Sequence, residues 1–309
     1  MRCAYPRLGP DPRGGGFGSI PYPCGQCLPC RMNRRREWTN RLMLEAAQYT
    51  DNSFWTLTYR DGEVPCLPRT SPEKLLTLFP RHLQGFLKRF RAALSPLKVR
   101  FFAVGEYGDQ TLRPHYHVIL FNYPSCSRLT GSRFNSEGRC CPACDLVQRM
   151  WPHGSIFGGS AEGEALQYVA GYTVKKMGKT YPGLDSRCPE FARMSLRPAI
   201  GLPAVPELAD IALRFDMEKT HGDVPSAVRH GMKILPLGRY LRGKLREQVG
   251  MAPTAPPSTL DALHESLRPV REAAFFNSSS FQAAVIDLNR GAVESVEAKA
   301  RIRKKRGSL

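Results

Sequence analysis

The chain has 309 residues, 42% of them hydrophobic, with 45 Lys and Arg against 27 Asp and Glu and a formal net charge of +18. That balance excludes a disordered chain, and the positive surplus calls for a polyanionic partner, nucleic acid first, because neutralised phosphates release condensed counterions. No apolar run reaches the roughly 18 residues a bilayer span requires, so no membrane partner is expected. Residues 1–18 are rich in Pro, Gly and Arg and lack an apolar centre, so they do not read as a secretion signal. The ten cysteines are then expected as thiols or metal ligands rather than disulfides.

In chain order, residues 1–23 read as an irregular arm. A helix is expected from Pro29 to Gln48, with Leu28, Met32, Leu42, Ala46 and Tyr49 recurring near a spacing of four. Its other face carries Arg31, Arg34, Arg35, Arg36 and Arg41, read as DNA-phosphate contacts. Phe54 to Tyr59 is aromatic and β-branched, hence a strand, and Asp61-Gly62 turns the chain out of it. Pro80 opens a helix whose apolar stripe is Leu83, Phe86, Leu87 and Phe90. Lys98 to Tyr107 and His115 to Phe121 are the next strands, with Gly108 to Pro114 short enough for a hairpin. A Cys-containing loop (122–144), a short helix (Asp145 to Trp151), a short strand (Gly154 to Phe157) and a helix from Glu162 to Met177 follow.

The order βαββαβα predicts an α+β domain whose antiparallel sheet is covered by helices on one face, in an RRM-like topology. The expected organisation is a basic, Cys-containing arm and helix (1–50), a nuclease domain (51–180) and a helical region (181–309) with helices at 207–218, 238–248 and 259–275. Residues 301–306 are expected to form a disordered basic tail.

His115 and His117 are two apart in a strand, so both imidazoles face one side and can meet one ion. Alone, the pair is equally well two ordinary strand histidines. A hairpin centred between Gln110 and Thr111 places Glu106 opposite His115 on the same face. Two histidines and a carboxylate make a three-ligand site with open positions for water and a phosphate oxygen. Tyr168 and Tyr172 are four apart on the last predicted helix, with Lys175 three further on and Lys176 beside it. In isolation such a tyrosine pair is core packing. Downstream of a metal strand and beside two lysines it reads as a nucleophile pair, the phenolate favoured by nearby positive charge.

Cys24-x2-Cys27-x2-Cys30 and Cys140-Cys141-x2-Cys144 have metal-ligand spacing. Together, through Cys24, Cys27, Cys30, Cys141 and Cys144, they are expected to supply four thiolates to one structural Zn²⁺. An iron–sulfur run would want a cysteine where Arg34 stands. Gly178-Lys179-Thr180 imitates the end of a phosphate-binding loop, but the glycine required five residues earlier is Thr173.

These residues resemble a known family. His115-Tyr116-His117 followed by Val118 to Phe121 is similar to the paired-histidine motif of HUH endonucleases, and Tyr168 to Lys175 to their two-tyrosine motif. The chain resembles replication initiation proteins of Microviridae phages, especially gokushovirus-type members, through Cys24 to Trp38, Gly105 to Asp109 and Pro236 to Tyr240. The resemblance is strong over about residues 20–180. It implies a Mg²⁺- or Mn²⁺-dependent nick at a single-stranded or supercoiled phage origin, a 5′-phosphotyrosine link, a free 3′-OH and later rejoining. His115, His117 and Glu106 carry over as ligands, and Tyr168, Tyr172 and Lys175 as the nucleophilic group. It further implies a host helicase and host DNA polymerase as partners, in the bacterial cytoplasm. The alternatives are a transposase or plasmid relaxase of the same chemistry, and a zinc-stabilised nucleic-acid-binding protein without activity.

Overall fold

The computed structural model describes residues 2–14, 19–67, 75–127, 140–175 and 186–305. The chain divides into two compact units, Met1–Glu37 with Val205–Leu309, and Trp38–Ala204. The first unit contains strands β1 (Arg7–Pro10) and β2 (Ser19–Tyr22), which pair antiparallel. The division falls within helix α1 (Leu28–Ala46).

The second unit then runs through β3 (Asn52–Thr58), α2 (Pro80–Leu94), β4 (Arg100–Tyr107), β5 (Pro114–Phe121), α3 (Pro142–Met150), β6 (Ile156–Ser160), α4 (Gly163–Lys175) and β7 (Phe191–Met194). Its sheet is wholly antiparallel in the order β6-β3-β5-β4-β7. The first four strands reproduce the RRM-like order. The edge strand β7 is an addition, in a stretch whose Phe191-Ala-Arg-Met194 is too short to show a period.

The expected α+β class holds, but the sheet is covered on both faces rather than one. One face packs Trp55, Leu57, Tyr116, Val118 and Leu120 against Leu83, Phe86 and Phe90 of α2 and Val147 of α3. The other packs Phe102, Val104, Ile119 and Phe121 against Leu42 of α1 and Leu166, Val169 and Ala170 of α4. The reason is visible in β5: from Tyr116 to Phe121 all residues but His117 are apolar, so both parities bury apolar surface and both need a cover. Glycine permits close approach at Gly158, where a Cβ would stand 2.2 Å from the Trp55 ring, and at Gly154, where it would stand 2.2 Å from the Thr58 carbonyl.

The remaining helices of the first unit are α5 (Val205–Arg214), α6 (Met217–His221), α7 (Gly238–Gln248), α8 (Pro257–Phe276) and α9 (Phe281–Lys305), with a hairpin of β8 (Ala227–His230) and β9 (Lys233–Pro236). The structure corrects two expectations. The arm at 1–23 is not wholly irregular, since it holds the β1–β2 hairpin. The basic residues from 301 are not a disordered tail as far as Lys305, because α9 continues through them. The run of Glu, Ala, Lys and Arg from Glu297 onward consists of strong helix formers, and charge did not override that propensity. Arg306 lies outside the described residues. Among the described residues no helix is long and apolar enough to cross a membrane.

Candidate active site

The β4–β5 hairpin sets the site. Its register pairs Glu106 with His115 and Val104 with His117, as the centre between Gln110 and Thr111 requires. Leu112 takes a positive φ of 51° in the turn, and Gly108 and Arg113 close it with an N–H···O bond of 3.0 Å. Glu106, His115 and His117 therefore emerge on one face, the one roofed by α4.

The Nε2 atoms of His115 and His117 lie 2.6 Å and 3.0 Å from a single oxygen, Oε1 of Glu106. The other ring nitrogens are held from behind: His117 Nδ1 by the Thr56 hydroxyl at 2.9 Å, and His115 Nδ1 by the Arg113 carbonyl at 3.2 Å. Both rings thus point Nε2 toward the carboxylate, which is how outer partners orient a ligating histidine. One donor atom from each of the three residues lies within 4.8 Å of the others. Glu106 and His117 are buried, and His115 is half-buried. Burial opposes ionisation of Glu106, but hydrogen bonds from the two histidines outweigh it and bring its pKa down to about 2. Burial also pushes His117 below its ordinary value, against the pull of Glu106, which keeps the imidazole neutral and its lone pair available. Two neutral imidazoles and a carboxylate fit one divalent cation with coordination positions to spare.

Tyr116, between the histidines, faces the opposite side of the sheet. It is fully buried, its hydroxyl 2.9 Å from that of Tyr59 and 3.0 Å from both the amide and the carbonyl of Phe79. Its bulk anchors β5 from behind and does not crowd the site.

Helix α4 brings both tyrosines to the same face. The Tyr172 ring stacks on His117 with centroids 5.1 Å apart, and Tyr168 meets His117 edge-on at 5.6 Å. Phe54, from β3, stacks on the other side of His117 at 5.5 Å and meets Tyr168 at 6.3 Å. The Tyr172 hydroxyl donates a short hydrogen bond to that of Tyr168. Tyr168 is 49% exposed, whereas Tyr172 is half-buried. Burial, the bond to Tyr168 and the charge of Glu106 all hold the Tyr172 phenol above its ordinary value. Thr56 and Phe54 belong to the site and were not among the residues expected in it. Their signal was the alternation of β3, which puts both on the face opposite Trp55 and Leu57. Lys175 closes α4, but its side chain, like the whole of Lys176 and Gly178 to Thr180, lies outside the described residues.

The arginines assigned to DNA are only partly a wet face, which corrects the expectation. Arg34 is exposed, while Arg31, Arg35, Arg36 and Arg41 are half-buried. Arg36 bonds the Ile234 carbonyl at 2.8 Å. Arg41 bonds the Ile200 carbonyl at 3.0 Å and sits 4.4 Å over the Trp38 ring. A guanidinium is long enough to serve packing first and charge second.

The cysteines do not form one shared cluster. Cys24, Cys27 and Cys30 gather with Cys3 in the first unit, and Cys141 and Cys144 with Cys126 and Cys140 in the second. Cys3 and Cys126 stand outside the two spaced runs, so spacing alone did not reveal them.

Residues 52–180 match the family model of the ORF2-type replication-associated protein. The chain is 33% identical over 167 residues to the replication-associated protein VP4 of Bdellovibrio phage phiMH2K, covering 52% of this chain and 50% of that protein. It is 32% identical over 178 residues to the replication-associated protein ORF2 of Spiroplasma virus 4, covering 56% and 54%. Identity is 27% over 166 residues to the replication-associated protein ORF4 of Chlamydia phage 1, covering 51% and 39%. The chain thus spans about half the length of the curated relatives it matches. No solved structure matches it. The strands and helix that carry Glu106, His115, His117, Tyr168 and Tyr172 all lie within the matched segment, and through it the chain belongs with the VP4-like replication-associated proteins of the ORF2-type family.

Proposed function

We propose that this protein starts rolling-circle replication of a single-stranded DNA phage genome by nicking the origin through tyrosine attack. The observation that carries this reading is the contact of Tyr168 and Tyr172 with His117, one of three convergent ligand-type residues. Glu106, His115 and His117 would hold Mg²⁺ or Mn²⁺. Bound there, the cation would neutralise phosphate charge and favour the leaving oxygen.

The chain's own residues do the rest. Tyr168 is the first nucleophile: its oxygen is exposed and accepts the hydrogen bond that the more buried Tyr172 donates, which favours a phenolate on Tyr168. Its attack forms a tyrosyl–phosphorus bond as the phosphorus–O3′ bond breaks, and the proton lost from the phenol ends on the 3′-oxygen. One phosphodiester replaces another, so the bond energy is retained and the strand can be rejoined without a nucleotide. Tyr172 stands one helical turn away to repeat the exchange on a second strand. Extension of the 3′-OH and unwinding fall to a host polymerase and host helicase in the bacterial cytoplasm. Structural Zn²⁺ is a separate role that belongs to cysteines and not to this triad.

Incubation with circular single-stranded phage DNA tests the reading. Mn²⁺ or Mg²⁺ should support cleavage that leaves a polymerase-extendable 3′ end and a protein-blocked 5′ end. DNA binding without cleavage in either metal would overturn it.

A further inference from the structure

We propose that the chain holds two structural Zn²⁺ ions, one in each four-cysteine cluster, and that these sites are separate from the Glu106–His115–His117 site. Zinc binding by the cysteines is independent of nicking. In each cluster the four Sγ atoms lie within 4.8 Å of one another. A tetrahedral tetrathiolate with zinc–sulfur bonds of about 2.3 Å spaces its sulfurs about 3.8 Å apart. The Cys3 and Cys27 sulfurs are 3.8 Å apart, and those of Cys126 and Cys140 are 3.4 Å apart. All ten cysteines are free thiols, and eight of them are gathered in these two places. Two independent convergences of four thiols are not a packing solution, since a buried thiol needs only apolar neighbours.

The surroundings are those of thiolate ligands. In the first cluster, three backbone amides point at sulfur: Ala4 N–H to Cys27 at 3.4 Å, Cys24 N–H to Cys3 at 3.2 Å and Cys27 N–H to Cys24 at 3.4 Å. Gly25, at a φ of +77°, supplies the left-handed residue that lets the chain curl back between Cys24 and Cys27. In the second, Cys141 is the N-cap of α3 and Cys144 lies in its first turn, where the helix N-terminus favours negative charge. Cys126 reaches the same point from the chain leaving β5. A four-iron cluster binds each thiolate to a different iron and would hold the sulfurs further apart. The first ion would tie the residues before β1 to the start of α1, and the second would tie the exit of β5 to α3.

The test is metal content of the full chain, purified under reducing conditions and dialysed against zinc-free buffer containing Mg²⁺. The expected result is two zinc ions per chain by elemental analysis and native mass spectrometry. Cys27→Ser and Cys144→Ser should each leave one and the double variant none, while His115→Ala/His117→Ala should retain two. Because a cysteine variant can fail to fold, cobalt exchange into the wild-type protein gives an independent reading. Two equivalents of tetrahedral cobalt with thiolate charge-transfer bands are expected. Zero or one zinc per wild-type chain, iron in place of zinc, a count that falls with the histidine variant, or cobalt spectra without thiolate bands would each overturn the proposal.

Discussion

Glu106 and His115 face each other across the β4–β5 hairpin, and one carboxylate oxygen of Glu106 lies within hydrogen-bond reach of both His115 and His117. Glu106 is thus the member that turns a histidine pair into a three-donor site. Glu106→Ala should abolish cleavage, by at least about 10²-fold on the scale of lost metal-site partners, and leave DNA binding nearly intact. Gel-shift and cleavage assays on one preparation separate the two. Equal loss of both would point to misfolding instead.

Much of this geometry was legible in the sequence, and the reason is parity. A tight hairpin with alternation of period two fixes which residues share a face, so Glu106, His115 and His117 could be aligned from the turn outward. Tyr168 and Tyr172 were legible through the i,i+4 rule. What was not legible depended on distant pairing. Cys3 and Cys126 join their clusters across 20 and 13 intervening residues, and β7 finds its place only by adding to β4. The helix roof on the second face was missed because a strand apolar on both sides was read as half-buried.

The position of Thr56 behind His117 makes a graded prediction. Thr56→Val removes the hydroxyl held 2.9 Å from His117 Nδ1 and keeps the shape. Metal affinity should fall about 10- to 100-fold, as for other orienting partners, with cleavage recovered at high Mn²⁺. Titration of activity against metal concentration checks it. A variant indistinguishable from wild type would show that Thr56 does not orient the ring.

Asp223 offers a test of acid stability in the first unit. It is buried and accepts two hydrogen bonds of 2.8 Å from Arg246, along with others from Arg242 and Thr259. Burial opposes its ionisation, but Arg246 and Arg242 prevail and hold it below its ordinary value of 3.8. The folded state therefore binds the proton later than the unfolded state, so this contribution is complete above pH 3.8 and is lost as pH falls below it. Asp223→Asn should flatten that acid limb and cost about 3–5 kcal/mol at neutral pH, since it leaves Arg246 buried without its counter-charge. Denaturant melts across the acid range measure both effects.

Gly154 and Gly158 should be intolerant of side chains. A Cβ at Gly154 meets backbone that cannot yield, and one at Gly158 meets the Trp55 ring, itself fully buried. Gly154→Ala and Gly158→Ala are each expected to destabilise by about 1–3 kcal/mol through overpacking. Thermal melts that match wild type would contradict this.

The net charge of +18 should make DNA binding strongly salt-dependent. A site neutralising six to ten phosphates loses about 10³–10⁵ in affinity between 50 and 200 mM salt. Arg34→Ala, at the exposed arginine of α1, should lower the slope by about one without changing sequence preference. Fluorescence anisotropy at several salt concentrations gives the slope.

The central claim is tyrosyl attack on DNA from α4. Protein that has reacted with single-stranded origin DNA and Mn²⁺, digested and mapped by mass spectrometry, should carry a nucleotide 5′-phosphate on Tyr168 in the first round. Tyr168→Phe should remove that adduct, and Tyr168→Phe/Tyr172→Phe should leave none. An adduct on a residue outside α4, or cleavage that persists in the double variant, would contradict the account.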